Sequence, residues 1–139
     1  MMPLAMLISL FMSSHEVVCD YKLNITIVGP QKDKGQHFIA LFNKAEDFLK
    51  TPLSGMIIPQ EDDHSVEVVF DDLCPGNYAV SVYFDKNMNG KLDTNFLGIP
   101  REPTAASNGA KGRMGPPKYK DAKFELTAPE TEITIRYKK

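Results

Sequence analysis

Between Asp85 and Asp93 the chain places an oxygen-bearing side chain at every second position: Asp85, Asn87, Asn89, then Gly90, Lys91 and Asp93. This is the spacing with which a loop folds around a hard cation. Alternate side chains converge, the glycine takes the sharp turn, the next residue offers its carbonyl, and a last carboxylate closes the ring. The expected ligands for one Ca2+ are the side chains of Asp85, Asn87, Asn89 and Asp93 and the main-chain carbonyl of Lys91. The loop matches positions one, three, five, six and nine of a calcium loop. An EF-hand needs a bidentate glutamate at position twelve, where Phe96 stands, and no helical pattern flanks the loop. A nine-residue version on a β-hairpin still fits. Two full charges and two neutral amides imply weak affinity, about 0.1–1 mM as in extracellular modules. Glu102 and Asp121 are candidates for one further ligand. The same residue types also build Asx-turns that bond to their own backbone and need no metal. A cation site and a metal-free scaffold both remain open on these residues.

Other chemistry is thinner. His15, His37 and His64 are scattered, and His37 opens an apolar run, where a packed histidine is expected rather than a catalytic one. Ser107 has no G-x-S-x-G elbow around it. Asp85, Asp93, Glu102 and Asp121 suffice in number for glycoside hydrolysis, yet a domain this small seldom has a sugar cleft beside its core. No Cys-x-x-Cys or Cys/His cluster suggests zinc. The stretch 109–117 lacks phosphate-cradling spacing. The expectation is a protein that is not an enzyme.

The elements that must hold the loop read as strands. Tyr21, Leu23, Ile25 and Ile27 alternate with polar residues, a period of two with one buried face. Pro30 to Gly35 is a polar turn, and His37 to Phe42 is apolar on both faces, as a central strand is. Residues 43–53 fit a short helical turn, and 55–59 a short edge strand ended by Pro59. Val66, Val68 and Phe70 alternate again. Tyr78, Val80, Val82 and Phe84 line one face of a strand that runs into Asp85. Residues 94–121 form a long Gly/Pro-rich loop, and Phe124, Leu126, Ile133, Ile135 and Tyr137 supply the last two strands. The expected fold is all-β, an antiparallel Ig-like or transthyretin-like β-sandwich of about seven strands. Its core should include Leu23, Ile25, Phe38, Ala40, Val68, Tyr78, Val80, Val82, Phe124, Ile133 and Ile135. Tyr78, just after the Pro75-Gly76 turn, is placed to bond back to upstream backbone or to serve as a plain core aromatic.

At 139 residues there is room for one such domain. The net charge of -2 argues against a nucleic-acid footprint. Residues 1–12 (MMPLAMLISLFM) are apolar and uncharged, too short to span a bilayer, and followed by Ser13-Ser14. They match the apolar part of a secretory signal peptide without its basic n-region. The expected organisation is a signal over residues 1–18 and one domain over 19–139, exported to the periplasm or cell exterior. No transmembrane span is expected after signal removal. Val18 speaks against lipoprotein-type cleavage before Cys19. Cys19 and Cys74 form one bridge or remain two thiols; the sequence leaves both open.

Several segments together carry a likeness: Gly35-x-x-x-Ile-Ala-Leu-Phe42, Phe70-Asp-Asp-Leu-x-Pro-Gly-x-Tyr78-Ala-Val, and Asp85-x-Asn-x-Asn-Gly-Lys-Leu-Asp-Thr-Asn95. Gly98-Ile-Pro-x-Glu102, Ser107-Asn108 and Pro116-Pro-x-Tyr-x-Asp121-Ala-x-Phe124 continue it. The chain resembles the bacterial family called domain of unknown function 2141, over most of its length after Tyr21. The resemblance implies an exported β-sandwich and carries no biochemical activity. Family members tend to place glycine and an aromatic before the Ser-Asn pair, where Pro103-Thr-Ala-Ala106 stands here, and a proline where Cys74 stands. Three classes of function follow, in order. The first is a cell-envelope binding module whose long loop is ordered by calcium, with an envelope ligand or protein as partner. The second is a structural or accessory domain without a small-molecule site, and the third a hydrolase using Glu102 or Asp121.

Overall fold

The computed structural model describes residues 14–29, 34–60 and 65–137. Residues 1–13, 30–33, 61–64 and 138–139 lie outside it, and with them most of the turn expected over 30–35 and His64. The strands are β1 (Tyr21–Val28), β2 (Gly35–Phe42), β3 (Ser54–Gln60), β4 (Val66–Leu73), β5 (Gly76–Asp85), β6 (Thr104–Ala106), β7 (Phe124–Leu126) and β8 (Glu130–Arg136). One short helix, α1 (Tyr119–Ala122), and 3-10 turns at Ala45–Asp47 and Ser107–Gly109 complete the described elements. The sheets run β4-β1-β8 and β3-β2-β5-β6, with β7 also paired to β5. The chain is thus an all-β sandwich. It has eight strands among the described residues rather than about seven, because β6 lies inside the stretch expected to be loop.

The antiparallel expectation holds for every strand pair except one. β1 and β8 run parallel, with Ile25 opposite Ile133 and Ile27 opposite Ile135. The first and last strands therefore share one sheet, and β8 enters after a crossover from the other sheet. Period-two patterns do not encode strand direction, so this pairing could not be read from them.

The core between the sheets holds Leu23, Ile25, Val68, Tyr78, Val80, Val82 and Ile135, as expected, together with Ile27, Ile39, Leu41, Phe70, Phe84, Leu126 and Tyr137. Phe124 and Ile133 are partly buried against it. The expectation for β2 is off by one residue. His37, Ile39 and Leu41 face the core, while Phe38 and Ala40 are only half-buried on the other face. A shift of one residue exchanges the two faces of a strand, and His37 is the residue that hides the true parity. Its imidazole is buried because Tyr137 Oη lies 3.0 Å from Nδ1 and Gln60 Oε1 lies 2.7 Å from Nε2. With Gln60 accepting, the proton sits on Nε2, and the Tyr137 phenol donates to Nδ1.

A second, smaller cluster of Phe42, Phe48, Ala79, Ala106 and Ala122 packs the other face of β2 and β5. It fastens the segment from Ser107 to Ala122 to the sandwich. At the opposite end of β5 the chain leaves as residues 86–103 and returns as β6, whose Thr104 pairs with Tyr83. The Asp85 loop therefore projects from one end of the sandwich. The Cys19–Cys74 disulfide, with a Cα–Cα separation of 4.0 Å, closes the other end. There the Tyr78 hydroxyl donates to the Cys74 carbonyl at 2.6 Å, the backward bond expected of that tyrosine.

Candidate functional site: the Asp85–Asp93 loop

Asp85 is the last residue of β5 and is fully buried. Its Oδ1 accepts the Asn89 N–H at 3.3 Å, and its Oδ2 accepts the Gly90 N–H at 2.9 Å and the Gln36 side-chain amide at 3.0 Å. Burial pushes this carboxyl up, but the hydrogen bonds from Gln36 and from the N–H groups of Gly90, Asn89 and Met88 outweigh it. Its pKa lies below the ordinary carboxylate value. Asp85 is therefore an ionised anchor that gathers the loop's backbone. Gly90, at φ 80°, takes the left-handed turn that the sequence assigns to it.

The pattern of every second residue continues outward. Asn87 Oδ1 accepts the Asn89 N–H at 3.2 Å, and Asn89 Oδ1 accepts the Lys91 N–H at 3.1 Å. These are successive Asx-turns. Asn87 Nδ2 donates to Asp93 Oδ2 at 2.6 Å, and Asn89 Nδ2 lies 2.9 and 3.0 Å from the two Asp93 oxygens. Four of the five candidate ligand residues thus meet in one bonded ring. Lys91 joins through its N–H, with its side chain exposed. The two amides turn nitrogen, not oxygen, toward Asp93. A cation among these groups would require them to turn over and would replace N–H···O bonds by cation–oxygen contacts.

Glu102 is buried beside the loop. Its Oε1 accepts the Lys86 N–H and its Oε2 the Asp93 N–H, each at 3.1 Å. It straps the start of the loop to its end. Gln36 and Glu102 are thus the residues that shape the site. Sequence reasoning passed over Gln36 and weighed Glu102 only as a ligand or acid. A polar residue directly before a buried strand face was the available signal for Gln36. Asp121, the other proposed extra ligand, is exposed on α1. Its neighbour Ala122 packs with Ala79, and Ala79 precedes Asp85 by six residues of β5, roughly 20 Å along a strand. It is not part of this site.

The remaining candidates hold structure. Ser107 Oγ accepts the Val80 N–H at 2.9 Å and donates to the Ala122 carbonyl at 2.6 Å. Asn108, in the left-handed region at φ 58°, donates to the Lys123 carbonyl at 2.6 Å. The Ser-Asn pair pins the long segment to β5. Among the described residues every buried side-chain nitrogen and oxygen has a hydrogen-bond partner. No group of three or more His, Cys, Asp or Glu among them is arranged to hold a metal ion. A cation here would depend on the Asn87 and Asn89 oxygens and on backbone. No helix among the described residues is long and apolar enough to cross a membrane.

Residues 25–134 match the family model described as an uncharacterized protein conserved in bacteria, domain of unknown function 2141. The chain belongs to that family. No curated protein and no solved structure matches it.

Proposed function

We propose that this chain is an exported, non-enzymatic binding module of the cell envelope, with calcium held weakly by its Asp85–Asp93 loop. The observation that carries the reading is the division of labour within the loop. Asp85 and Glu102 are buried and hold backbone in place, while Asn87, Asn89 and Asp93 face one another nearer the surface with oxygen chemistry suited to a hard cation. The backbone frame is already built, so taking a cation asks that the Asn87 and Asn89 amides turn over and release Asp93, not that the loop refold.

The non-enzymatic part is supported by what the usual catalytic groups do. Ser107 is bolted between two backbone groups, both Glu102 oxygens accept backbone N–H groups, and His37 is sealed in the core. Export is supported by the apolar residues 1–12 and by the Cys19–Cys74 pairing, which belongs in an oxidising compartment. That pairing also engages the sulfur that lipid attachment would need, and a signal ending before Cys19 would leave it in the mature chain.

The test is thermal unfolding in calcium and in chelator. A site with Kd near 1 mM raises stability by about 1.4 kcal/mol at 10 mM calcium, from RT ln(1 + [L]/Kd). Asp93→Ala should abolish the rise, and Lys86→Ala should keep it. Equal melting temperatures with calcium and with chelator would leave the loop a metal-free Asx scaffold and end the calcium reading.

A further inference from the structure

Residues 95–99, directly after the cation loop, form a tight turn that turns its apolar side chains outward. Asn95 Oδ1 accepts the N–H groups of Leu97 and Ile99 at 2.9 and 3.0 Å. The Asn95 N–H reaches the Ile99 carbonyl at 2.9 Å, and the Gly98 N–H reaches the Asn95 carbonyl at 3.0 Å. Four hydrogen bonds thus fix five residues, and Thr94 and Pro100 bridge below them. On this fixed tip Phe96 is 93% exposed, Leu97 68% and Ile99 55%, and Met88 of the adjoining loop is 58% exposed. Exposed apolar side chains gathered on one fixed turn form the kind of patch that marks an interaction site.

The charges around the tip are sorted by depth. Lys86, Lys91 and Arg101 are exposed, whereas Asp85 and Glu102 are buried and Asp93 is half-buried and bonded to amides. The outward charges of residues 85–103 are therefore all positive, on a chain whose net charge is -2. Four side chains of this size offer on the order of 500 Å². That falls short of the roughly 800 Å² each partner contributes to a standard protein interface. A small apolar tip whose own loop exposes basic side chains fits an acyl boundary beneath anionic headgroups instead.

We infer that the Asn95–Ile99 tip is a membrane-docking finger that inserts Phe96, Leu97 and Ile99 into an anionic lipid surface, with Lys91 and Arg101 facing the headgroup phosphates. The inference goes beyond the calcium reading and does not depend on it. It is tested with the full chain in chelator, by co-sedimentation with vesicles of phosphatidylcholine alone and of phosphatidylcholine with phosphatidylglycerol. Wild type and Phe96→Ser/Leu97→Ser share residues 1–12, so a difference between them reports the tip. The finger predicts partition onto the anionic vesicles at least tenfold stronger for wild type than for the double variant, from the lost apolar area. It also predicts weakening by Lys91→Glu/Arg101→Glu, and weaker partition onto phosphatidylcholine alone. Equal partition of wild type and the double variant would overturn it. So would a wild type that is dimeric in sedimentation while the double variant is monomeric, because the tip would then be an interface between two copies.

Discussion

Glu102 Oε2 accepts the Asp93 N–H at 3.1 Å, and through this bond a buried carboxylate holds the closing residue of the candidate cation loop. The partner oxygen holds Lys86 at the loop's start. Removing the carboxylate frees both ends at once. Glu102→Ala should cost about 2–3 kcal/mol, the range for hydrogen bonds to charged groups, and Glu102→Gln a smaller amount because one acceptor remains. Urea unfolding of the two variants measures the difference.

Gly35 sits where a side chain has no room. A Cβ built there would lie 2.5 Å from the Asp85 main-chain oxygen and 2.8 Å from the Phe84 ring. Gly35→Ala should therefore push β2 and β5 apart at the base of the loop. The expected cost is about 1–3 kcal/mol, read as a lowered melting temperature and loss of hydrogen-exchange protection at the Gln36–Asp85 pair.

Acid should weaken the fold in two stages. Burial holds the His37 pKa below its ordinary 6.5, against the opposing hydrogen bond to Gln60. The unfolded chain then binds more protons than the folded one below about pH 6.5, so stability falls as pH drops from there toward the folded value. Asp85 is depressed below 3.8, so its contribution is present above that value and lost as pH falls through the folded one. Melting temperature measured from pH 8 to pH 3 should show both limbs. His37→Gln should flatten the first and leave the second.

Ser107→Ala should be severe for so small a change. It leaves the buried Val80 N–H without a partner and the Ala122 carbonyl with only the longer 3.3 Å bond from the Asn108 amide, at about 1–3 kcal/mol together. The Val80 amide should then exchange with solvent faster than its β5 neighbours. An unchanged stability would mean that Ser107 does not bolt the long segment to the sheet.

The parts of the fold written in period-two alternation were legible. β1, β4 and β5 show their buried faces directly, and Gly90 marks its own turn. β2 did not, because apolar residues occupy both its faces and the residue that fixes the parity is a histidine, whose burial depends on Tyr137, 100 positions away. Within the candidate site the ring of Asp85, Asn87, Asn89 and Asp93 follows from spacing alone. The strap by Glu102 and the brace by Gln36 do not, because they depend on β6 and β2 folding back beside the end of β5. Phe96 and Leu97 lie in the stretch read as a long loop, where the sequence does not show which side chains the Asn95 turn directs outward.

The account rests on the loop between Asp85 and Asp93 taking calcium, and amide NMR spectra during a calcium titration test that most directly. Saturable shifts confined to Asn87, Asn89, Gly90, Lys91 and Asp93, with a Kd of about 0.1–1 mM and loss on Asp93→Ala, are the predicted result. A loop whose amides do not move at tens of millimolar calcium would contradict it.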